Sequence, residues 1–165
     1  MWAVIKIHKK KFCLLKKSLE EKLGSDIKFY TPKLKLKKFC KTKTYFKDFY
    51  ILGDYLFCHH KELAKQSVLN SLKYCKGLKY FLNDHIKSQH DIIKFISKCK
   101  ENEDEKGYIN QTFFNFSKNN KFEFISGPFS NLIFKIIEEN NLFIKTLIGK
   151  YKITVSKKNN LFRPI

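Results

Sequence analysis

The chain has 165 residues, of which 34 are Lys or Arg and 15 are Asp or Glu, giving a formal net charge of +19 at pH 7. Hydrophobic residues make up 43% of the sequence, which is enough for a buried core and excludes a disordered polyelectrolyte. So large an excess of positive charge indicates a polyanionic partner such as DNA, RNA or a nucleoprotein assembly. A second explanation stays open, because Lys, Asn, Ile, Phe and Tyr have A/T-rich codons and a low-GC genome enriches them without any function.

Five cysteines stand at positions 13, 40, 58, 75 and 99, and no two are spaced as C-x-x-C. Their odd number and their spacing argue against a disulfide framework or a zinc site and are typical of reduced cytosol. The apolar run Trp2–Ile7 is too short for the core of a signal peptide, and no run approaches the ~18–20 apolar residues of a membrane span. We therefore expect a cytoplasmic, monomeric protein without membrane contact or cofactor.

Charge is distributed unevenly along the chain. Residues 1–100 carry 24 Lys against 8 acidic residues, residues 101–106 carry 4 acidic residues and 1 Lys, and residues 107–165 carry 9 basic against 3 acidic residues. The acidic stretch has no apolar periodicity, which is typical of a linker. The sequence therefore predicts an amino-terminal domain at 1–100, a linker at 101–106 and a carboxy-terminal domain at 107–165.

The first predicted elements are a strand and a helix. The apolar run Trp2–Ile7 predicts a buried strand. Hydrophobic residues then recur at helical spacing with Lys between them, at Phe12, Leu15, Leu19 and Leu23. Because Gly24 follows, we predict an amphipathic helix that ends there.

The remainder of the first domain predicts further strands and two more helices. Strands are predicted at Ile27–Tyr30, around Leu34 and Leu36, and at Leu78–Leu82, with a hairpin joining Tyr45–Ile51 to Tyr55–His59 through Leu52–Asp54. Helices are predicted around Leu63, Val68 and Leu72, and over Ile92–Ile96 behind a capping box at Ser88 and Asp91. The order implies an α+β fold in which helices pack on a mainly antiparallel sheet.

The carboxy-terminal domain has two interpretations. Strands at Lys121–Ser126 and Tyr151–Val155, with turns at Gly127-Pro128, Glu138–Asn141 and Gly149, predict a small β-barrel. The segment Asn131–Ile148 also has apolar residues at helical spacing, so a helical hairpin is the alternative. The β-rich flanks favour the barrel.

Several blocks, in this order, resemble the NusG family of transcription factors. They are Trp2–Ile5, Phe29–Pro32, Ile51–Phe57, Lys76–Phe81, and Phe122–Phe129, the last of which is similar to the opening of a KOW motif with Gly127, Pro128 and Phe129. The ending Val155…Leu161-Phe162-Arg163 resembles the specialised RfaH-like members. The chain departs from the family pattern at Gly53, where the family has Pro, and at Phe134, where it has Gly. A counterpart of the RfaH-like His-Thr-Thr motif is missing at Val68–Asn70.

The resemblance implies an elongation and antitermination factor, not an enzyme, that binds the clamp helices of RNA polymerase and suppresses pausing. It implies a polymerase-binding patch that includes Leu52, Tyr55 and Phe57. It implies a contact with the non-template DNA strand through Lys10, Lys16, Lys17 and Lys76, and a ribosomal protein or Rho as partner of the KOW domain. A KOW-containing ribosomal or RNA-binding structural protein is the alternative.

Each candidate residue also has a plainer interpretation. Aromatic residues on strands are by default sheet core, which we favour for Phe57 and weigh equally with a docking role for Tyr55. The lysines could form a solvated face, although phosphate neutralisation needs many Lys and little geometry. The histidines at 8, 59, 60, 85 and 90 do not share a face as metal ligands would, and we find no catalytic motif.

Overall fold

The computed structural model describes residues 1–40, 43–110, 113–114, 120–157 and 160–165, without the side chains of 37–40 and 43–44. The backbone divides into two compact units, Met1–Lys33 with Tyr50–Glu101, and Leu34–Phe49 with Asn102–Ile165. The first unit thus ends close to the predicted boundary at residue 100, but Leu34–Phe49 groups with the second unit. The limits of independently folding domains remain a prediction.

The elements of residues 1–101 alternate as the sequence predicts. The strands are β1 (Trp2–Ile7), β2 (Lys28–Tyr30), β3 (Lys33–Cys40), β4 (Lys43–Tyr50), β5 (Tyr55–His59) and β6 (Leu78–Phe81). The helices are α1 (Phe12–Leu23), α2 (Gln66–Leu72) and α3 (Gln89–Glu101), with 3₁₀ turns at Lys9–Lys11 and Lys61–Ala64. The prediction of α1 is confirmed, and the chain leaves it at Gly24, whose φ of +98° favours glycine.

The first unit is built on a four-stranded antiparallel sheet in the order β2-β5-β1-β6. Alternate residues of β1 face opposite sides, as a strand requires. Ala3, Ile5 and Ile7 are buried in a core with Leu15 and Leu19 of α1, and residues of α2 join the same cluster. Trp2 and Val4, on the other face, pack in a second cluster with residues of α3.

Helix α3 is tied to the sheet at its first residue. The Gln89 side chain accepts a hydrogen bond from the Trp2 backbone N–H at 3.0 Å and donates one to the Trp2 carbonyl at 2.6 Å. Strand β6 pairs only with Ile5–Ile7 of β1, so the N–H and carbonyl of Trp2 need a hydrogen-bond partner from outside that strand. The Gln89 amide satisfies both of them, as buried backbone groups require.

The predicted hairpin between Tyr45–Ile51 and Tyr55–His59 is wrong. Strand β4 pairs with β3 in a separate two-stranded sheet, whereas β5 lies between β2 and β1. Consecutive turns at 51–54 reverse the chain, but they deliver β5 into the larger sheet. The physical reason is the contiguous apolar run Leu56–Cys58, which is buried on both faces and therefore occupies an interior position.

The second unit contains a five-stranded antiparallel sheet in the order β10-β9-β8-β7-β11. Its strands are β7 (Lys121–Phe124), β8 (Ile133–Glu139), β9 (Phe143–Ile148), β10 (Tyr151–Ser156) and β11 (Phe162–Pro164). Among the described residues β10 and β11 each pair with one neighbour, so closure into the predicted barrel is not shown.

The segment Asn131–Ile148 forms strands, not the alternative helical hairpin. Burial in β8 alternates, because Ile133 and Lys135 are exposed while Phe134 and Ile136 are buried. A period of two fits a strand with one covered face. Phe134 is 1% exposed, and its ring centroid lies 4.1 Å from that of Phe124 and 5.5 Å from that of Phe162. At the position where the resemblance expects Gly, an aromatic ring therefore fills the core of this sheet.

The predicted linker 101–106 has defined local structure. Glu101 is the last residue of α3, and Glu103 forms an isolated antiparallel bridge with Ile109. The Asp104 carboxylate accepts hydrogen bonds from the backbone N–H groups of Lys106 and Tyr108, each at 2.9 Å. This side-chain turn is the typical use of Asp in a chain reversal. No helix in the described part of the chain is long and apolar enough to span a membrane.

Candidate functional site

Lys6, Tyr55 and Tyr80 form one cluster on three neighbouring strands, which we call the tyrosine surface. Lys6 of β1 is the direct cross-strand partner of Tyr55 on β5 and of Tyr80 on β6. Direct partners point to the same face, so the register alone places the ammonium between the two rings. Lys6 Nζ lies 5.1 Å from the ring centroid of Tyr55 and 5.6 Å from that of Tyr80. Both distances are in the range of cation–π attraction.

The two tyrosine hydroxyls are hydrogen-bonded to each other at 2.9 Å. The hydrogen bond with Tyr80, together with the neighbouring Lys6 ammonium, lowers the pKa of Tyr55. The interactions of Lys6 with the two tyrosines, of which that with Tyr55 is the larger, raise the pKa of Lys6. The tyrosine surface therefore presents a firmly protonated lysine between two rings, and Tyr80 remains 44% exposed.

Phe57 lies two residues beyond Tyr55 on the same face, but helix α3 covers it. It is 5% exposed and clusters with Ile92 and Ile96, and its ring centroid is 5.8 Å from that of Phe95. A direct contact with a partner is therefore not available to Phe57 in this structure, which agrees with the core interpretation. Leu52, in the turn before β5, is half-buried against the same cluster.

A small apolar cavity of about 130 Å³ lies beside Tyr55. Its lining includes Ile7, Phe12 and Leu56, which belong to the core that α1 covers, so the cavity lies on the opposite side of the sheet from Lys6 and Tyr80. The predicted polymerase-binding residues are divided, with Tyr55 on the tyrosine surface and Leu52 and Phe57 in the cluster under α3. Sequence reasoning missed Lys6 and Tyr80, because only the pairing of β1 with β6 brings them to Tyr55.

Gly53, at the family's Pro position, has a φ of +62°. Proline is fixed near −65°, so it cannot adopt this backbone conformation. The chain therefore makes its turn before β5 in a way that requires glycine or a residue that tolerates the left-handed region. Asp54, which follows, lies 3.5 Å from Lys9 Nζ and 3.6 Å from Lys79 Nζ.

The predicted nucleic-acid-binding lysines fall into separate places. The His8 backbone N–H donates to the Gly77 carbonyl at 2.8 Å, so the 3₁₀ turn that carries Lys10 contacts the loop that carries Lys76. Lys17 is exposed on α1. Lys16 lies elsewhere, in a recess beside β2, where its Nζ is 3.6 Å from the Glu20 carboxylate.

The residues of the predicted KOW opening form the turn between β7 and β8. Gly127 has a φ of +85°, and its carbonyl accepts hydrogen bonds from the Ser130 hydroxyl at 2.9 Å and the Ser130 N–H at 3.3 Å. Phe129 packs against the core, with its ring centroid 5.7 Å from that of Phe124. Gly127, Pro128 and Phe129 thus have a structural role here.

The buried histidines are occupied by internal hydrogen bonds. His60 accepts from the Glu62 N–H at Nδ1 and lies 3.1 Å from Asp26 through Nε2. His85 lies 3.2 Å from the Leu82 carbonyl and 3.4 Å from that of Leu63. Among the described residues no group of three or more His, Cys, Asp or Glu side chains could hold a metal ion. Burial raises the pKa of the Cys58 thiol to about 12.

No protein-family model matches the sequence, and a search of curated proteins finds no match. Among solved structures the chain is similar to a crystal structure of the MjSpt4:Spt5 complex in conformation B. The identity is 14%, the TM-score is 0.36, and the alignment covers 100% of this chain and 98% of that one.

Proposed function

We propose that the protein is a transcription elongation factor of the NusG type that docks on RNA polymerase through the tyrosine surface. The observation that carries the proposal is the position of this surface. It begins at Tyr55, inside the block Ile51–Phe57 that resembles the family's polymerase-binding block. It lies on the face of the sheet that carries α3, but outside the cluster that α3 covers.

The chemistry of the surface suits an amphipathic helix. Aromatic rings that are half-exposed offer large contact area at low conformational cost, and helices commonly bind such grooves through spaced apolar anchors. The Lys6 ammonium would pair with acidic residues on the same helix.

Docking would act by shifting a conformational equilibrium. A factor that contacts both sides of the polymerase cleft favours the closed, processive state over the open, pausing state only through contacts that differ between the two. In this proposal Lys10, Lys17 and Lys76 attract the non-template DNA strand, and the five-stranded sheet of the second unit contacts a ribosomal protein or Rho. The ending Val155…Arg163 supports a specialised, RfaH-like role.

The test compares two tyrosine variants of the full chain in binding to purified RNA polymerase. Tyr55→Ala removes an anchor of the proposed interface and should weaken binding by ~2 kcal/mol or more, about thirtyfold. Tyr74→Ala is the matched control, because Tyr74 is 88% exposed and outside the tyrosine surface. It should bind normally.

Equal affinity of the wild type and a folded Tyr55→Ala variant would remove the tyrosine surface from the interface. If the wild type does not bind polymerase but binds ribosomal RNA in a salt-sensitive manner, the RNA-binding structural protein replaces the elongation factor. A shorter lifetime of transcriptional pauses with wild type, lost in Tyr55→Ala, is the functional counterpart expected from docking.

A further inference from the structure

A second surface of the first unit, apart from the tyrosine surface, combines aromatic rings with lysines. It is a recess of about 690 Å³ beside β2, one of the two edge strands of the four-stranded sheet. Four rings and three lysines line it, namely Trp2, Phe29, Tyr30, His59, Lys16, Lys28 and Lys100. We call it the β2 recess. Its volume is in the range of sites that hold a small organic group such as a nucleotide.

The rings of the β2 recess are held in place from beneath by one buried residue. Phe57 contacts Trp2 edge-on, with centroids 6.4 Å apart, and stacks on Tyr30 at 6.2 Å. His59 lies beside Trp2, with ring centroids 4.9 Å apart. Because packing already fixes these rings in the folded protein, a ligand that stacks on them causes little further loss of side-chain conformational entropy. This gives the buried Phe57 a role in positioning that does not require it to touch a ligand.

The lysines give the β2 recess a positive potential. Lys28 and Lys100 are exposed, and Lys100 Nζ is 5.8 Å from the Tyr30 ring centroid. The acidic residue in the lining is Glu20, whose charge is offset by Lys16 at 3.6 Å. Burial, followed by the N-terminal ammonium and Lys28, lowers the pKa of His59, which favours the neutral form of its imidazole ring.

We infer that the β2 recess binds a segment of single-stranded nucleic acid, with bases stacked on Trp2 and Tyr30 and phosphates neutralised by Lys28 and Lys100. Aromatic platforms flanked by lysines bind single strands with little dependence on sequence, because every base has a π face. A duplex hides those faces. An acidic peptide would use the lysines but leave the rings without partners. The inference goes beyond the proposed function, since it involves neither polymerase nor the Lys10 and Lys76 region.

Trp2 is the only tryptophan of the chain, so its emission reports on the β2 recess directly. The full chain is titrated at low salt with a single-stranded oligothymidylate of about twelve nucleotides, long enough for one site of this type. We expect a saturable change in Trp2 emission. Binding detected by anisotropy of a labelled oligonucleotide without any change in Trp2 emission would overturn the inference, as would no binding at all.

Two variants separate phosphate contacts from stacking. The double variant Lys28→Ala/Lys100→Ala should weaken binding roughly tenfold and lower the slope of log affinity against log salt by ~1.4, two single-strand phosphate contacts. Tyr30→Ala should weaken binding roughly tenfold through lost stacking, without changing the slope. The Lys28 and Lys100 side chains are exposed, so the double variant should fold normally, which circular dichroism checks.

The matched control is Lys150→Ala/Lys152→Ala, which removes the same charge from exposed positions in the second unit. It should retain the affinity and slope of the wild type. An equal loss of oligonucleotide affinity in this control would mean that binding depends on net charge and not on the β2 recess, and would overturn the inference. Saturable Trp2 changes of the same size with polyglutamate would identify an acidic-peptide site instead. Because no polymerase is present, neither outcome bears on docking through the tyrosine surface.

Discussion

Replacing Phe134 by Ala tests the packing of the second unit most severely. Phe134 is 1% exposed and contacts three other rings, with centroids 4.1 Å from Phe124, 5.5 Å from Phe162 and 5.8 Å from Phe122. Truncation of a buried Phe to Ala usually costs about 3–5 kcal/mol. Each aromatic pair adds ~0.5–1.5 kcal/mol beyond the buried area, so we expect the upper half of that range. Against a total stability of about 5–15 kcal/mol, such a loss is large.

The matched control is the preceding residue. Ile133 is 55% exposed, so Ile133→Ala removes a side chain from the opposite face of the same strand. It should cost at most about 1 kcal/mol, the span of strand propensities. Amide hydrogen exchange along β7 and β8 gives the free energy of opening residue by residue, so the loss of stability in the second unit is measured independently of the first. Equal losses in both variants would refute the strand register and favour the helical alternative for Asn131–Ile148.

Three further predictions concern the first unit. In a spectrophotometric pH titration, Lys6→Met should move the ionisation of Tyr55 to higher pH, because Tyr80 and Lys6 lower the pKa of Tyr55. The difference between wild type and Tyr55→Phe identifies that ionisation, and an unchanged curve in Lys6→Met would contradict this. The pKa of Tyr55 is lower in the folded protein than in the unfolded chain, so this group stabilises the fold only at alkaline pH. The pKa of Lys6 is higher in the folded protein, so its contribution is present at every pH below the pKa of an unfolded Lys. At pH 7 only Lys6 therefore contributes. With Cys40 replaced by Ser, a thiol reagent should modify the exposed Cys13 quickly and the buried Cys58 only on unfolding, since burial raises the Cys58 pKa to about 12; rapid modification of both would be inconsistent with the core. Gly77→Ala should lower the urea midpoint of unfolding more than Gly53→Ala. Both glycines have a positive φ, but only at Gly77 would the new Cβ meet a backbone atom, the Lys11 carbonyl oxygen at 2.8 Å. Equal midpoints would show that the backbone around Lys11 moves aside without loss of stability.

Local patterns predict local structure well in this chain. Strand β1 and helix α1 have the bounds that the apolar run Trp2–Ile7 and the spacing from Phe12 to Leu23 indicate. The alternation around Leu34 and Leu36 is also observed, with both residues buried and Lys35 between them exposed. These features depend on residues within one or two turns, so the sequence displays them directly.

Pairing between distant segments is what the sequence does not display. The turn at Leu52–Asp54 indicates a reversal of the chain but contains no information on which strand pairs with β5, so the sequence pattern wrongly favours β4. The tyrosine surface needs the register of β1 with both β5 and β6, across about fifty and seventy-five residues. The separation of Lys16 from Lys10 and Lys76 likewise depends on how α1 and the loop before β6 pack. Lys28 next to Phe29 and Tyr30 was a local signal for the β2 recess, a lysine beside two aromatic residues.

The central claim, that the tyrosine surface contacts RNA polymerase, is tested most directly by site-specific photocrosslinking. Tyr80 is replaced by p-benzoylphenylalanine, because it is 44% exposed and belongs to the cluster with Tyr55 and Lys6. The same replacement at Tyr74, 88% exposed, is the control. Irradiation of the full chain with polymerase should give an adduct from position 80 that maps to the clamp helices, and none there from position 74. Adducts of equal yield from both positions, or none from position 80 while the proteins remain bound, would contradict docking through this surface.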